Sequence, residues 1–417
     1  MRDTAPRQRS QTGATLPPVM LMTLGVLAAL GPLAIDLYLS AFPAMVVDLD
    51  TDPTGVQLSL TGYLLGVAAG QLAFGPLSDR FGRRGPLLIG LSICVGASAI
   101  AAFAPSLEFL IAARVVQGVG VASGAVIGRA IISDLSSGDA AARAFSVMMI
   151  VGNVAPIVAP SLGSLIGAAV GWRGVLATVG VVSAALIVSV VLLLKESHPR
   201  DRRLLLGSDR GSRPRALSEL RTRGFLGNTL AMAFSTGIMM AYIASSPFVY
   251  QQMLGFSPIG FGLIFGANAT AMLLVNWWSS RLIGRYRVRS ILGVGIAVMS
   301  SACAAVLVLV LSDAPAVWLI APLSIAVGAV GAVAPKATAE AIAHVPRIAG
   351  TGSAVLGTLQ FLVGAAVTPL ASAEGAVSAR PLALTMTTCA VLMSAAFLFA
   401  QPKRSEGART VRRRLRR

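Results

Sequence analysis

Gly75-Pro76-Leu77-Ser78-Asp79-Arg80-Phe81-Gly82-Arg83-Arg84-Gly85-Pro86 is the stretch that decides how this chain is read. It follows one apolar run, residues 56–74, and leads into another, residues 86–103. Gly75, Gly82 and Gly85 suit a tight turn, in which a single acid, Asp79, stands among Arg80, Arg83 and Arg84. When the flanking runs cross a bilayer, a positive turn of this kind faces the cytoplasm. The reading is of two membrane-spanning helices joined on the inner side.

Outward from this turn the pattern repeats. Hydrophobic residues make up 55% of the chain and charged ones 12%, where a soluble protein carries about a quarter charged. There are about a dozen apolar stretches, each near the twenty residues a helix needs to cross the hydrocarbon core. A soluble fold would expose many of them. In lipid the backbone must satisfy itself within each segment, so the expected class is an all-α polytopic membrane protein. The net charge of +17 does not point to nucleic acid, because the basic residues fall in alternate loops and in the two tails, as orientation in a membrane requires. Cys94, Cys303 and Cys389 lie in three different apolar runs and read as small core residues, not as metal ligands or a disulfide framework.

Taken in order, residues 1–15 form a polar tail with Arg2, Arg7 and Arg9. Residues 16–39 are too long an apolar run for a signal-peptide core and read as span one. The loop 43–55 holds Asp48, Asp50 and Asp52 with no Lys or Arg, so it belongs outside. Spans two to five are expected at 56–74, 86–103, 107–132 and 144–170, and span six ends near 194 after a short outer connection, Gly171-Trp172-Arg173. Residues 196–223 then break the rhythm with eight arginines, just after Lys195, and read as a cytoplasmic linker. Six more spans are expected at 225–250, 260–278, 290–311, 316–333, 352–371 and 381–400, followed by a basic tail to residue 417. The units are a tail (1–15), a first bundle (16–195), the linker (196–223), a second bundle (224–401) and a second tail (402–417). With both tails and the linker inside, only Arg173 and Arg380 fall in outer loops, with Arg114 near an outer helix end.

The two halves also match in detail. Arg285-Tyr286-Arg287-Val288-Arg289 lines up with residues 80–84, and Gly284 then stands where Asp79 does. Paired six-helix bundles imply a substrate site between them near mid-membrane, opened to each side in turn.

Charges inside spans are costly and by default functional. Asp36 lies late in span one and Arg114 early in span four, both in the outer half of the membrane. Asp36 is expected to take up and release a proton, with Arg114 shifting its affinity or pairing with it when ionised. Asp79 and Arg129 are expected to lie at the cytoplasmic face, where their pair would latch the closed state, and Lys336 and Glu340, four apart, to pair on one helical face. Polar or adaptable residues within spans are candidates to line a cavity: Tyr38, Gln117, Asn153, Met239 with Met240, Tyr242, Asn268 and Gln360. His198 and His344 are read as incidental. In span five Gly152, Pro156, Pro160 and Gly163 combine small residues at close-packing steps with helix-loosening prolines.

These motifs carry a family resemblance. The turn at 75–84 resembles the loop between helices two and three of the major facilitator superfamily. Span five is similar to that superfamily's antiporter motif, with Ala155 and Ala159 replacing its first two glycines and Ser164 its last. Ala34-Ile35-Asp36-Leu37-Tyr38-Leu39 with Phe42-Pro43, Arg114 with Gln117-Gly118, Gly171-Trp172-Arg173, the run from Ala349 to Ala354 and Gly357-Thr358-Leu359-Gln360-Phe361 together resemble the bicyclomycin/chloramphenicol (Bcr/CflA) resistance branch. The resemblance implies a monomeric exporter in a bacterial cell membrane, driven by the proton gradient with no other cofactor. Its partners would be small drug molecules, protons and the bilayer. It also implies that Asp36 is the coupling acid, with Arg114 as the family's span-four arginine. Lys336 departs from the Asn expected after Pro335.

A membrane enzyme is the reading from another class. The chain has no H-E-x-x-H, no G-x-S-x-G and no G-x-x-x-x-G-K-[ST]. An importer or facilitator of the same fold, moving a sugar, organic acid or metabolite, is the nearer alternative.

Overall fold

A computed structural model describes residues 16–197, 218–345, 348–371 and 378–401. The helices are α1 (Pro18–Asp36), α2 (Phe42–Asp48), α3 (Pro53–Phe81), α4 (Arg84–Ala102), α5 (Leu107–Leu135), α6 (Gly138–Leu193), α7 (Arg223–Phe248), α8 (Pro258–Arg281), α9 (Val288–Leu311), α10 (Ile320–Ala343), α11 (Ala349–Leu370) and α12 (Arg380–Phe399). Among the described residues, eleven helical segments are long and apolar enough to cross a membrane. One of them, Arg143–Leu193, is two spans joined at Gly171, whose φ of 69° breaks the helix. That makes twelve crossings.

Helix starts follow local chemistry. The Asp52 carboxylate accepts from Gly55 N–H at 2.6 Å, and Ser106, Thr222 and Ser257 cap α5, α7 and α8 in the same way. The acid-rich segment after span one is not all loop. Pro43 lies in the first turn of α2, where a missing N–H does no harm, and helix continues to Asp48. Asp48 then accepts from Trp172 Nε1 at 2.8 Å and from the Arg173 guanidinium, tying span one to the connection between spans five and six.

In the first bundle α1 packs on α5 and α6, and α4 on α5 and α6, while α3 lies along α5. That last contact is backbone to backbone. A methyl on Gly118 would stand 2.2 Å from the Tyr63 carbonyl, and one on Gly66 2.0 Å from that of Val115. In the second bundle α7 packs on α10, α11 and α12, and α10 also holds α8 and α9.

The bundles meet where α3 crosses α11 and where α6 crosses α8. Gly262 and Gly266 let α8 approach Pro160, Ser161 and the Ile157 carbonyl. Hydrogen bonds that join the bundles include Gln57 Nε2 to Ala244 O (2.9 Å), Thr61 Oγ1 to Ala365 O (3.3 Å) and Gln251 Nε2 to Ser40 O (3.1 Å). Phe42 and Phe248 add a ring contact at 6.1 Å. All of these lie toward the end that carries Asp48, Asp50 and Asp52, so the acidic end is closed.

The repeat register differs from the one-for-one match of 285–289 with 80–84. Gly82 (φ 95°) follows the end of α3 at Phe81, and Gly284 (φ 99°) follows the end of α8 at Arg281. These left-handed glycines are the equivalent points. In that register Arg281, not Gly284, stands where Asp79 does, and the second turn is longer before its next helix starts.

Candidate functional site

Span one breaks just after Asp36. The chain turns through Leu37 and Tyr38, makes one 3-10 turn (Leu39–Ala41) and resumes as α2. Two contacts hold this break. Gly163 lies under it so closely that a methyl there would stand 1.7 Å from the Leu37 carbonyl oxygen. On another side the Ala34 carbonyl accepts from Arg114 Nη2 at 2.9 Å.

Arg114 is wholly buried, which rules out its reaching the membrane surface. Its guanidinium lies between the rings of Tyr38 and Tyr63, 4.3 Å from each centroid. In such a dry site this cation–π pairing is at its strongest, about 2 kcal/mol or more. Nη1 donates to Gln117 Oε1, Gln117 Nε2 donates to Ser98 Oγ at 2.7 Å, and Ser98 donates to the Cys94 carbonyl at 2.7 Å. Tyr63 OH donates to the Gly31 carbonyl at 3.0 Å, so the ring that covers Arg114 is itself fixed to span one.

Asp36 is 3% exposed and is the one buried carboxylate among the described residues. No described residue is recorded as donating to it, and it forms no ion pair with Arg114. Of the two roles expected of Arg114, shifting the proton affinity of Asp36 or pairing with it when ionised, the pairing is not formed in this structure, where the guanidinium is held by two rings, a carbonyl and an amide. Tyr63 had no signal in the sequence as a partner of Arg114: one tyrosine in an apolar run reads like any other.

The basic turn is organised around Arg83. Its Nε bonds Asp134 Oδ2 at 2.9 Å, and its Nη1 bonds Asp79 Oδ1 at 2.5 Å and Ser78 Oγ at 2.9 Å. The Arg83 N–H donates to Glu196 Oε1 at 2.8 Å and the Arg84 N–H to Oε2 at 3.2 Å. Burial works against the Arg83 charge, but Asp134 and Asp79 outweigh it and hold its pKa above the ordinary value. The expected Asp79–Arg129 latch is not formed. Asp79 is taken by Arg83, four residues on, while Arg129 donates to its own Ala125 carbonyl at 2.9 Å. Arg80 stacks on Phe81 at 5.3 Å, and Gly75 has open space about it. Glu196, expected to begin the linker, docks on the first bundle; the rest of the linker from His198 to residue 217 lies outside the described residues.

In span five, Pro156 and Pro160 leave the carbonyls of Gly152 and Pro156 without their usual helical donors. Gly152 faces Ala28 of span one. The motif thus touches span one with Gly152 and Gly163, and the second bundle beside Pro160.

The cavity candidates divide. Gln117 belongs to the Arg114 chain, and Asn268 Nδ2 donates to Tyr242 OH at 2.8 Å, so these side chains join helices. Tyr38 is buried on Arg114. Asn153, Met239, Met240 and Gln360 are half-buried.

The expected Lys336–Glu340 pair is also absent. Lys336 is 3% exposed, and its Nζ lies within hydrogen-bond reach of Ser279 Oγ (2.6 Å), Asn276 Oδ1 (2.9 Å), Ser280 Oγ (3.2 Å) and the carbonyls of Asn276 and Gly331 (both 3.4 Å). Span eight reaches it first. His344 Nδ1 lies 2.7 Å from the Glu340 carbonyl. No cluster of metal-ligating side chains occurs among the described residues, and all three cysteines are free and buried.

Residues 24–369 match the family model of the Major Facilitator Superfamily. The chain is 35% identical over 377 residues to an uncharacterized MFS-type transporter, YdgK, of Bacillus subtilis, covering 90% of this chain and 93% of that one. It is 29% identical over 384 residues to the bicyclomycin resistance protein homolog of Haemophilus influenzae, covering 91% and 96%. Among solved structures, a bacterial homolog of the human lysosomal transporter Spinster superposes with a TM-score of 0.69 at 18% identity, over 92% of this chain and 96% of that one. Twelve crossings in two bundles, a glycine-capped basic turn and a match over most of the chain make this a transporter and not an enzyme: the chain belongs to the major facilitator superfamily.

Proposed function

We propose that the chain exports apolar or cationic drug-like molecules in exchange for protons, by alternating access between its bundles. The basic end faces the cytoplasm, with both termini on that side, and the protein works as a monomer with the proton gradient as its only energy source. The names of the resistance-protein relatives support the substrate class. The observation that carries the coupling is Asp36, a buried carboxylate with no recorded donor at the broken end of span one.

A carboxylic acid in such a site is tolerated neutral and is costly ionised. Water admitted from the cytoplasmic side releases its proton inward, and the charge left behind favours a cationic cargo. Water admitted from outside reprotonates it and weakens that hold. Arg114 positions the acid, by fixing the Ala34 carbonyl and the Tyr38 ring on either side of it in sequence.

Inverted vesicles with an imposed pH gradient test this with a panel of chloramphenicol-like and cationic drugs. Accumulation should require an acidic interior. Asp36→Asn should insert normally and lose the gradient-driven part. Full gradient-driven accumulation by that variant would remove Asp36 from coupling, and wild-type uptake indifferent to the gradient would make the chain a facilitator.

A further inference from the structure

One cavity of the second bundle does not lie between the bundles. α8 and α9 both lean on α10, and the gap between them is a groove of about 780 Å³. Its walls are apolar over most of their length: Val275 and Leu282 from α8, Val294 and Val298 from α9, Ile325 and Ala329 from α10. Val294, Val298 and Ile325 are 65%, 44% and 52% exposed. In a spanning segment such exposure means contact with lipid tails.

The groove's polar lining gathers at the basic end, with Ser324 alone toward the other. Ser279, Tyr286 and Ser290 line the basic end. Tyr286 sits in the turn Arg281-Leu282-Ile283-Gly284-Arg285-Tyr286-Arg287, which contains no acid. Arg281 is stacked on Trp277 at 3.8 Å, and Arg289 donates to the carbonyls of Phe397 and Ala400. Arg285 and Arg287, on either side of Tyr286, are exposed and have no recorded side-chain partner among the described residues. Behind the groove wall, Ser279 touches Lys336, a buried cation whose recorded partners are all neutral oxygens. An apolar slot between spans, opening beneath unpaired arginines, is the chemistry that retains an anionic lipid.

We propose that this groove is a binding site for an anionic phospholipid of the leaflet on the basic side. An acyl chain lies between α8 and α9, and the phosphate is held by Arg285 and Arg287, with Tyr286 and Ser290 at the glycerol level. The phosphate supplies the acid that the equivalent turn of the first bundle carries in its own sequence as Asp79. The site does not depend on what the transporter carries.

The test is lipid titration of the detergent-purified full chain, read by melting temperature and by native mass spectrometry. Phosphatidylglycerol should raise the melting temperature saturably, by about 3–5 °C at saturation, and remain bound as a discrete adduct. Phosphatidylcholine should do neither. Arg285→Gln with Arg287→Gln should abolish both effects, as should Val294→Trp, which fills the slot, while Arg80→Gln with Arg84→Gln in the first turn should leave the adduct intact. An equal response to phosphatidylcholine, or an adduct retained by both groove variants, would overturn the site. Glycerol phosphate reproducing the full shift would overturn the acyl-chain part and leave a free-anion site.

Discussion

Each bundle buries a cation within its spans, Arg114 in the first and Lys336 in the second, and they are held differently. In the first, Arg114 is gripped by two aromatic faces, a carbonyl and an amide, toward the acidic end of span four, and the carbonyl is that of Ala34, two residues before the buried Asp36. In the second, Lys336 rests on hydroxyl and amide oxygens of span eight, near the basic end, with no acid within ion-pairing distance among the described residues. The planar guanidinium can use ring faces and a forked set of acceptors, whereas an ammonium is a compact point charge that collects whatever oxygens lie round it. The basic turns differ in the same sense. Arg83 is matched by Asp134 and Asp79 with Glu196 on the backbone, while the second turn has arginines alone. The duplicated fold thus keeps its glycine-capped turns and its buried cations, and it concentrates its carboxylates, Asp36 included, in the first half.

The largest break in this comparison comes from the cations themselves. Arg114→Leu leaves the Gln117 amide and the Ala34 carbonyl unsatisfied, each costing about 1–3 kcal/mol, and removes both ring contacts, so a loss of roughly 3–5 kcal/mol is expected. Lys336→Met removes the cation from Ser279 and Ser280, whose hydroxyls already donate to the Asn276 helix carbonyl, and roughly 1–2 kcal/mol is expected. Unfolding of the two variants in mixed micelles measures both; equal losses would erase the distinction. Arg114→Lys should recover little, because an ammonium cannot fill the forked, stacked site.

Next in size is the seat of span one. Gly163→Ala must push the Leu37 carbonyl aside, at roughly 2–3 kcal/mol and with loss of transport. Gly75→Ala meets nothing within 4 Å and should gain about 0.5–1 kcal/mol as a helix position. A tolerated Gly163→Ala with normal transport would mean that the break after Asp36 does not depend on this contact.

The basic turns give the smallest effects. A double-mutant cycle of Arg83→Gln with Asp134→Asn should show coupling of roughly 1–2 kcal/mol, since the pair is charge-assisted and half-shielded. Arg287→Gln, at a side chain with no recorded partner among the described residues, should change stability in lipid-free detergent by less than about 0.5 kcal/mol. Coupling near zero for Arg83 and Asp134 would make the two turns equivalent.

Much of this was legible before any coordinates. Span positions and the prominence of Asp36 and Arg114 follow from where apolar runs and charges fall. The pairings did not. Asp79 and Arg129 are opposite in sign and end at the same face, yet Arg83 is one helical turn from Asp79 and reaches it first. Glu196 and Arg83 are 113 residues apart, a separation that offers no local signal. Lys336 and Glu340 share a helical spacing, but the serines of a neighbouring span stand closer. The loop assigned to residues 43–55 failed for a related reason: acids at Asp48 and Asp50 mark a side of the membrane, not the end of a helix.

From its residues alone, then, this chain declares a solvent and a topology, because twenty-residue apolar runs and the placement of arginines answer to the bilayer, which acts on each segment separately. Which charges meet was decided only when the spans packed. Glycines such as Gly163 and Gly118 set how near two backbones come, and that distance selects the ring, carbonyl or carboxylate that a buried charge can reach.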